Sequence, residues 1–389
     1  MNTASWLFDY MTFARKFEDD LCDEQKRNGC FRQIAPMGGV DFYMTAMDGS
    51  PRWSDAGVLI PYRLYKKYGD KRILKKYYGN MRRYAMYKIR SIGKWYPTAL
   101  PTGVGIKNIG KIVNYGQSYG EWAEPTDVRA FAINDFVSPH PEETTAYVVY
   151  LLEHMEKIAR ILDNSEDEKL YKKYADKVRD GYRALVKSKK FSLDTDRQAK
   201  LVRPLYMNLL DGKQKEYAQK RLIRALENYG WRLGTGFLST PLILDVLADI
   251  DIEYAYRLLE NVQMPGWLFM TKMGSTTIWE SWEGTEAQGG IASLNHYSKG
   301  AVCEWLFRGM CGINIDGENH FIIKPLPGGH FTFANAIYKS IFGEVKSGWK
   351  KENGKIVFEI SIPSNCTANV ILPNGESKNV TAGQYSFEV

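Results

Sequence analysis

Residues 165–185 read SEDEKLYKKYADKVRDGYRAL, and this stretch sets the pattern for most of the chain. Leu170, Tyr174, Val178, Tyr182 and Leu185 recur at steps of four and three, which on a 3.6-residue helix gathers them into one apolar stripe. Ser165 with Glu168 reads as a capping box ahead of that stripe. The same periodicity, followed outward, predicts helices over residues 5–28, 55–68, 71–92, 141–163, 166–188, 195–210, 214–229, 236–249, 251–262 and 293–310. Pro141 suits a first helical turn, where its missing N–H costs nothing. Short turns such as Asp163-Asn164 alternate with long loops at 29–54, 93–140 and 263–292, rich in Gly, Trp, Pro and acidic residues. In a ring of αα-hairpins, alternate loops lie on alternate faces, so the long loops would share one face and form a cleft there. Ten helices is one hairpin short of a six-hairpin ring.

After Gly312 the period changes from 3.6 to 2. Phe358, Ile360 and Ile362 alternate with Glu359 and Ser361, as in a half-buried strand. Asp316-Gly317, Asn353-Gly354 and Asn374-Gly375 are tight-turn dipeptides between such strands. The expectation is a helical domain over 1–312 and a small antiparallel β-sandwich over 313–389.

Composition narrows the function. The 389 residues are 44% hydrophobic and 25% charged, sufficient for an ordinary packed core. Trp, Tyr and Phe number 10, 25 and 17, more than packing alone usually needs; helix–helix packing accounts for most of them, and only the tryptophans beside carboxylates admit the second reading of a sugar-lined cleft. The net charge of +7 is spread along solvated helix faces such as Arg82–Arg90 and Lys169–Lys177. No basic groove or Walker loop points to nucleic acid or nucleotide, and no apolar run is long enough to span a membrane. Cys22, Cys30, Cys303, Cys311 and Cys366 form no metal-binding pattern and read as free thiols, with a Cys22–Cys30 bridge left open. Neither a metal nor a cofactor is expected.

The chemistry concentrates between 274 and 305. Glu280 lies in Gly274-Ser-Thr-Thr-Ile-Trp-Glu-Ser-Trp-Glu-Gly, between Trp279 and Trp282. Apolar rings beside a carboxyl exclude water and suit it to proton transfer. His296 follows in Ser293-Leu-Asn-His-Tyr, at the expected start of the last helix, where it could bond a sugar hydroxyl. The bland alternatives are a surface loop acid and a packing histidine.

Thr276-Thr-Ile-Trp-Glu-Ser-Trp-Glu-Gly, Ser293-Leu-Asn-His-Tyr and Gly300-Ala-Val-x-x-Trp-Leu together resemble the signature of glycoside hydrolase family 78, the α-L-rhamnosidases. Trp53-Ser-Asp-Ala, Tyr68-Gly-Asp, Tyr119-Gly-Glu-Trp, Gly234-Thr-Gly-Phe, Ala255-Tyr-Arg-Leu-Leu and Gly312-Ile follow in that family's order. The resemblance implies an (α/α)6 six-hairpin toroid followed by a β-domain, and inverting hydrolysis of terminal α-L-rhamnose. It implies Glu280 as general base, Trp53 and Trp122 as walls of the sugar site, and His296 as a sugar contact. Asp55, at the pocket edge, and Trp282 join the expected substrate-binding set. The partner is a rhamnose-containing carbohydrate.

Two departures qualify this. The family's Asp-Cys-Pro-Gln-Arg-x-Glu-x-x-Gly-Trp motif, which supplies the general acid, has no counterpart in this chain, and Tyr-Gly-Asp-Trp is Tyr-Gly-Glu-Trp here. The expectation is thus a toroid incomplete at its N-terminus, whose open flank a second copy or a companion chain could cover. Glu121, Glu142, Glu143 and Glu283 are the acids left to consider as proton donor. Two alternatives stand beside the hydrolase: a catalytically impaired sugar-binding or scaffold protein, and another six-hairpin enzyme such as an unsaturated glucuronyl hydrolase.

Overall fold

A computed structural model describes residues 2–39, 45–94, 104–116, 118–130, 138–290, 292–317 and 319–389. Helices pair in sequence order: Ala56–Tyr68 with Lys71–Ser91, Pro141–Ile161 with Ser165–Leu185, Gln198–Tyr206 with Gly212–Asn228, and Ile243–Ile250 with Ile252–Leu259. One chemical device opens the second helix of each pair. Asp70, Asn164, Asp211 and Asp251 each accept a backbone N–H of the first turn through the side chain. The chain reverses just before these caps, through Gly69 (φ 73°) in the first hairpin and Asp163 (φ 58°) in the second.

Several details differ from the sequence expectation. The cap of Ser165–Leu185 is Asn164 rather than Ser165, and Glu168 pairs with Arg160. The buried face of that helix runs through Tyr171, Ala175, Val178, Tyr182 and Leu185, with Leu170 and Tyr174 at its margin. The first predicted helix divides into Asn2–Leu7 and Met11–Asp23, because the Tyr10 N–H turns to donate to the Tyr68 hydroxyl. The helix expected from residue 236 begins at Ile243, since Gly236 is pressed against the Trp122 carbonyl, where a Cβ would lie 2.2 Å from that oxygen. The last helical segment starts at Ser298 and includes a π-helical turn at Leu306–Met310; residues 293–296 are non-helical and bend at Leu294 and Asn295. Parts of the 29–54 and 93–140 loops lie outside the described residues. All five cysteines are free thiols.

The C-terminal part is two four-stranded sheets. One has the order β1 (Ile313–Ile315), β2 (His320–Ile323), β6 (Thr367–Ile371), β7 (Ser377–Val380). The other has the order β3 (Phe333–Ser340), β4 (Gly343–Glu352), β5 (Lys355–Ile362), β8 (Gly383–Glu388). All pairings are antiparallel except β2 with β6, which is parallel because the chain crosses to the other sheet and back between them. Asn353 and Gly354 both take positive φ, as a two-residue hairpin turn between β4 and β5 requires.

A buried ionic cluster sits in the helical core. Arg203 has no exposed surface; its guanidinium binds Glu142 and, at 2.7 Å, Glu121, with Glu143 at 3.5 Å. Burial alone would raise the Glu143 carboxyl, but Arg203, His140 and Arg197 together hold it below its ordinary value. The resulting stability is present above the ordinary carboxylate range and is lost as pH falls through the depressed folded value. Replacing Arg203 by Leu strands these carboxylates, and it should lower the unfolding free energy by about 3–5 kcal/mol in urea titrations. A loss below about 1 kcal/mol, the scale of an exposed pair, would show that the carboxylates find other partners.

Candidate active site

Two short irregular stretches, around 278–280 and 293–296, create the site. The Glu280 N–H donates to the Ser293 carbonyl at 2.9 Å, and the His296 N–H to the Ile278 carbonyl at 2.8 Å. This local pairing, rather than a helix start, brings Glu280 and His296 side by side. The Glu280 carboxylate then receives two donors: the Trp122 indole N–H at 3.1 Å on Oε1 and the Ser293 amide at 3.0 Å on Oε2. A carboxylate with two fixed N–H donors keeps one orientation.

Aromatic rings from distant segments line up beside it. Trp122 meets Tyr119 (centroids 6.2 Å apart), Tyr119 meets Trp53 (4.6 Å), Trp53 meets Phe237 (6.3 Å), and Phe237 meets His296 (5.0 Å). Trp53, Trp122 and His296 are each half-buried, so the row is fixed at the back and accessible in front. The His296 Nδ1 accepts the Ser298 N–H at 3.2 Å. Burial lowers its pKa, and the opposing pull of Glu280 only partly offsets this. At neutral pH the ring is therefore uncharged, with its proton on Nε2 as a hydrogen-bond donor.

Two residues expected at the sugar are placed elsewhere. Asp55 is 1% exposed, accepting the Tyr84 hydroxyl and the Arg52 N–H at 2.8 Å each, so it braces the turn that carries Trp53. Trp282 is fully buried, donates its indole N–H to the Thr235 carbonyl at 2.9 Å and packs edge-on to Trp267. Its position corrects the expectation of a sugar-facing ring: both faces are in the core.

The four acids considered as proton donors all have internal partners. Glu121, Glu142 and Glu143 surround Arg203, and Glu283 accepts the Thr126 N–H at 2.7 Å. Glu121, the departure from Tyr-Gly-Asp-Trp, also accepts the Gly236 N–H and both the N–H and hydroxyl of Ser239. Its carboxylate points into the core while its neighbour Trp122 points to Glu280. Sequence reasoning passed over Tyr119, Phe237, Ser293 and Lys299. All four lay inside blocks already singled out, but nothing in the local sequence marked Lys299 as more than a surface charge. Among the described residues, no group of three or more His, Cys, Asp or Glu side chains is placed to hold a metal ion.

Comparison with known proteins identifies the family and the fold. The sequence pattern of the bacterial alpha-L-rhamnosidase 6 hairpin glycosidase domain matches residues 1–310. The chain belongs to that family. The pattern of the bacterial alpha-L-rhamnosidase C-terminal domain matches residues 315–387. An α-L-rhamnosidase of Streptomyces avermitilis is 30% identical over 379 residues, covering 95% of this chain and 34% of the relative. One from Formosa agariphila is 28% identical over 347 residues, covering 87% of this chain and 35% of that protein. Among solved structures, the Streptomyces avermitilis α-L-rhamnosidase in complex with L-rhamnose superposes with a TM-score of 0.83 at 28% identity, covering all of this chain and 37% of its own. The Dictyoglumus thermophilum α-L-rhamnosidase gives 0.82 at 26% identity, covering 100% and 45%. The chain thus spans about a third of the length of the curated relatives cited here.

The contrast between Trp282 and the ring row is open to a direct check. Trp282→Ala should cost about 3–5 kcal/mol of stability through the cavity it leaves. Trp53→Ala, at a half-buried ring, should leave the melting temperature within a few degrees of the wild type. Equal stability losses in both variants would contradict the separation into core and wall.

Proposed function

We propose that this chain binds a terminal α-L-rhamnosyl residue against the row from Trp122 to His296 and uses Glu280 as the general base for its hydrolysis with inversion. The observation that carries the reading is the Glu280 carboxylate, oriented by the Trp122 indole and the Ser293 amide at the edge of that row. The flat rings of Trp53 and Trp122 offer apolar faces to the sugar's C–H surface, and His296 offers a neutral N–H to a hydroxyl. Glu280 takes a proton from a water molecule, which attacks the anomeric carbon from the side opposite the leaving oxygen. The glycosidic C–O bond breaks, and the leaving oxygen takes a proton from a carboxylic acid about 6.5–9.5 Å across the site. Glu121, Glu142 and Glu143 are unsuited to that second role, since each is held against a buried guanidinium. Their engagement favours, as the second reading, a unit that binds rhamnose without turnover on its own.

Release of p-nitrophenol from p-nitrophenyl α-L-rhamnoside separates the two readings. The hydrolase reading expects turnover by the wild-type chain, and Glu280→Gln should reduce it about 10²–10⁴-fold with L-rhamnose binding retained. Proton NMR should show β-L-rhamnose as the first sugar product. Rhamnose binding without turnover supports the second reading, and absence of both binding and turnover would overturn the two together.

A further inference from the structure

Lys299 has no exposed surface, although a buried ammonium normally costs several kcal/mol. Its surroundings explain why it is tolerated. The Nζ donates to the Glu280 main-chain carbonyl at 2.6 Å and to the Ala123 carbonyl at 3.2 Å. It lies 4.6 Å from the centre of the Trp282 ring and 5.2 Å from that of Phe237, both within cation–π range. The Lys299 carbonyl accepts the Trp267 indole N–H at 3.0 Å, which fixes the main chain from which the side chain reaches.

These contacts close a ring around the base. Lys299 grips the Glu280 main chain; the Glu280 carboxylate accepts from the Trp122 indole; the next residue, Ala123, returns its carbonyl to Lys299. Ala123 sits at φ 55°, a left-handed conformation that a non-glycine residue holds only when its surroundings enforce it. Lys299 is one of the groups that do so. The buried Trp282 thereby gains a role, as the aromatic floor beneath this ammonium.

We propose that Lys299 is the positioning residue for Glu280, holding the general-base loop against the Trp122–Ala123 turn and keeping the Glu280 carboxylate ionised through its positive charge. The inference rests on the assignment of Glu280 as base, but its physical content, a charge coupling between Lys299 and Glu280, can be measured whether or not the chain hydrolyses anything. The ionisable groups acting on Lys299 are Glu283, Glu280 and Glu121; His296, from the paired stretch, feels both Glu280 and Lys299. Burial pulls the Lys299 ammonium down to about 7 against those three carboxylates. The charge is therefore present below neutral pH and fades above it.

The test is a carbon-13 NMR titration of the chain labelled at the Glu side-chain carboxyls, the Glu280 signal being identified by its loss in Glu280→Gln. In the wild type this signal should show, besides its own acidic midpoint, a second inflection near neutral pH as Lys299 loses its proton. Lys299→Met should remove the second inflection and raise the acidic midpoint by about half a unit or more. Lys299→Gln, which retains a donor without the charge, should raise the midpoint similarly. If the wild-type chain turns over p-nitrophenyl α-L-rhamnoside, Lys299→Met should lower kcat about 10–100-fold and leave KM within about 3-fold. An unchanged midpoint in either variant, or no second inflection in the wild type, overturns the proposal; a lowered melting temperature alone would then mark Lys299 as structural. The wild-type titration decides the matter even if both variants fail to fold. Turnover unaffected by Glu280→Gln would instead overturn the general-base assignment.

Discussion

The buried guanidinium of Arg203 is the constraint around which the helical domain is assembled. An ion without solvent contact is tolerated only when opposite charges at hydrogen-bond distance offset its lost hydration. Glu121 supplies one partner from a loop, and Glu142 supplies another from the first turn of Pro141–Ile161. Glu121 in turn draws in the Gly236 and Ser239 amides. Three segments far apart in sequence are thus fixed against one charge. Trp122 and Phe237, which follow Glu121 and Gly236, project from these anchored positions toward Glu280 and His296. The site is aligned because its supports share this cation.

A second layer of control is the contrast between half-buried and buried aromatics. Trp53, Tyr119, Trp122, Phe237 and His296 form a row whose mutual edge and face contacts hold each ring at little entropic cost. Trp267 and Trp282 lie behind it, with indole N–H groups bonded to carbonyls, so no polar atom of theirs is left unpaired. Between the two layers sits Lys299, whose charge and hydrogen bonds address the same loop. Polar order inside an apolar wall is what allows a single half-buried carboxylate to be held in one orientation.

The C-terminal sheets are fastened to the helical part by equally specific polar contacts. The Trp349 indole donates to the Met310 carbonyl, and the Ser347 hydroxyl to the Cys311 carbonyl. Between these anchors, Gly312 adopts φ 78° and passes so close to Pro325 that a Cβ would lie 2.1 Å from its nitrogen. Near the other end of the helical chain, the Lys67 Nζ lies 3.1 Å from the centre of the Trp6 ring and 4.0 Å from that of Tyr338 on β3.

By itself the sequence determined the elements: the helix periodicity, the tight turns between strands, and the motif around Glu280. These are local features, decided by side-chain spacing and by hydrogen bonds a few residues long, so they are legible without a fold. It did not determine which polar groups face inward. Asp55, Glu121 and Trp282 look like site residues in the chain, yet their partners, Tyr84, Arg203 and Thr235, are 29, 82 and 47 residues away. Nor could it place His296, whose helix start was displaced by pairing with Ile278. Tertiary structure decided these cases because the cost of burying a charge or an N–H depends on a partner that only folding brings within reach. Lys299 is the clearest instance: a surface-type residue in the sequence, it is sealed beneath Glu280 in the structure.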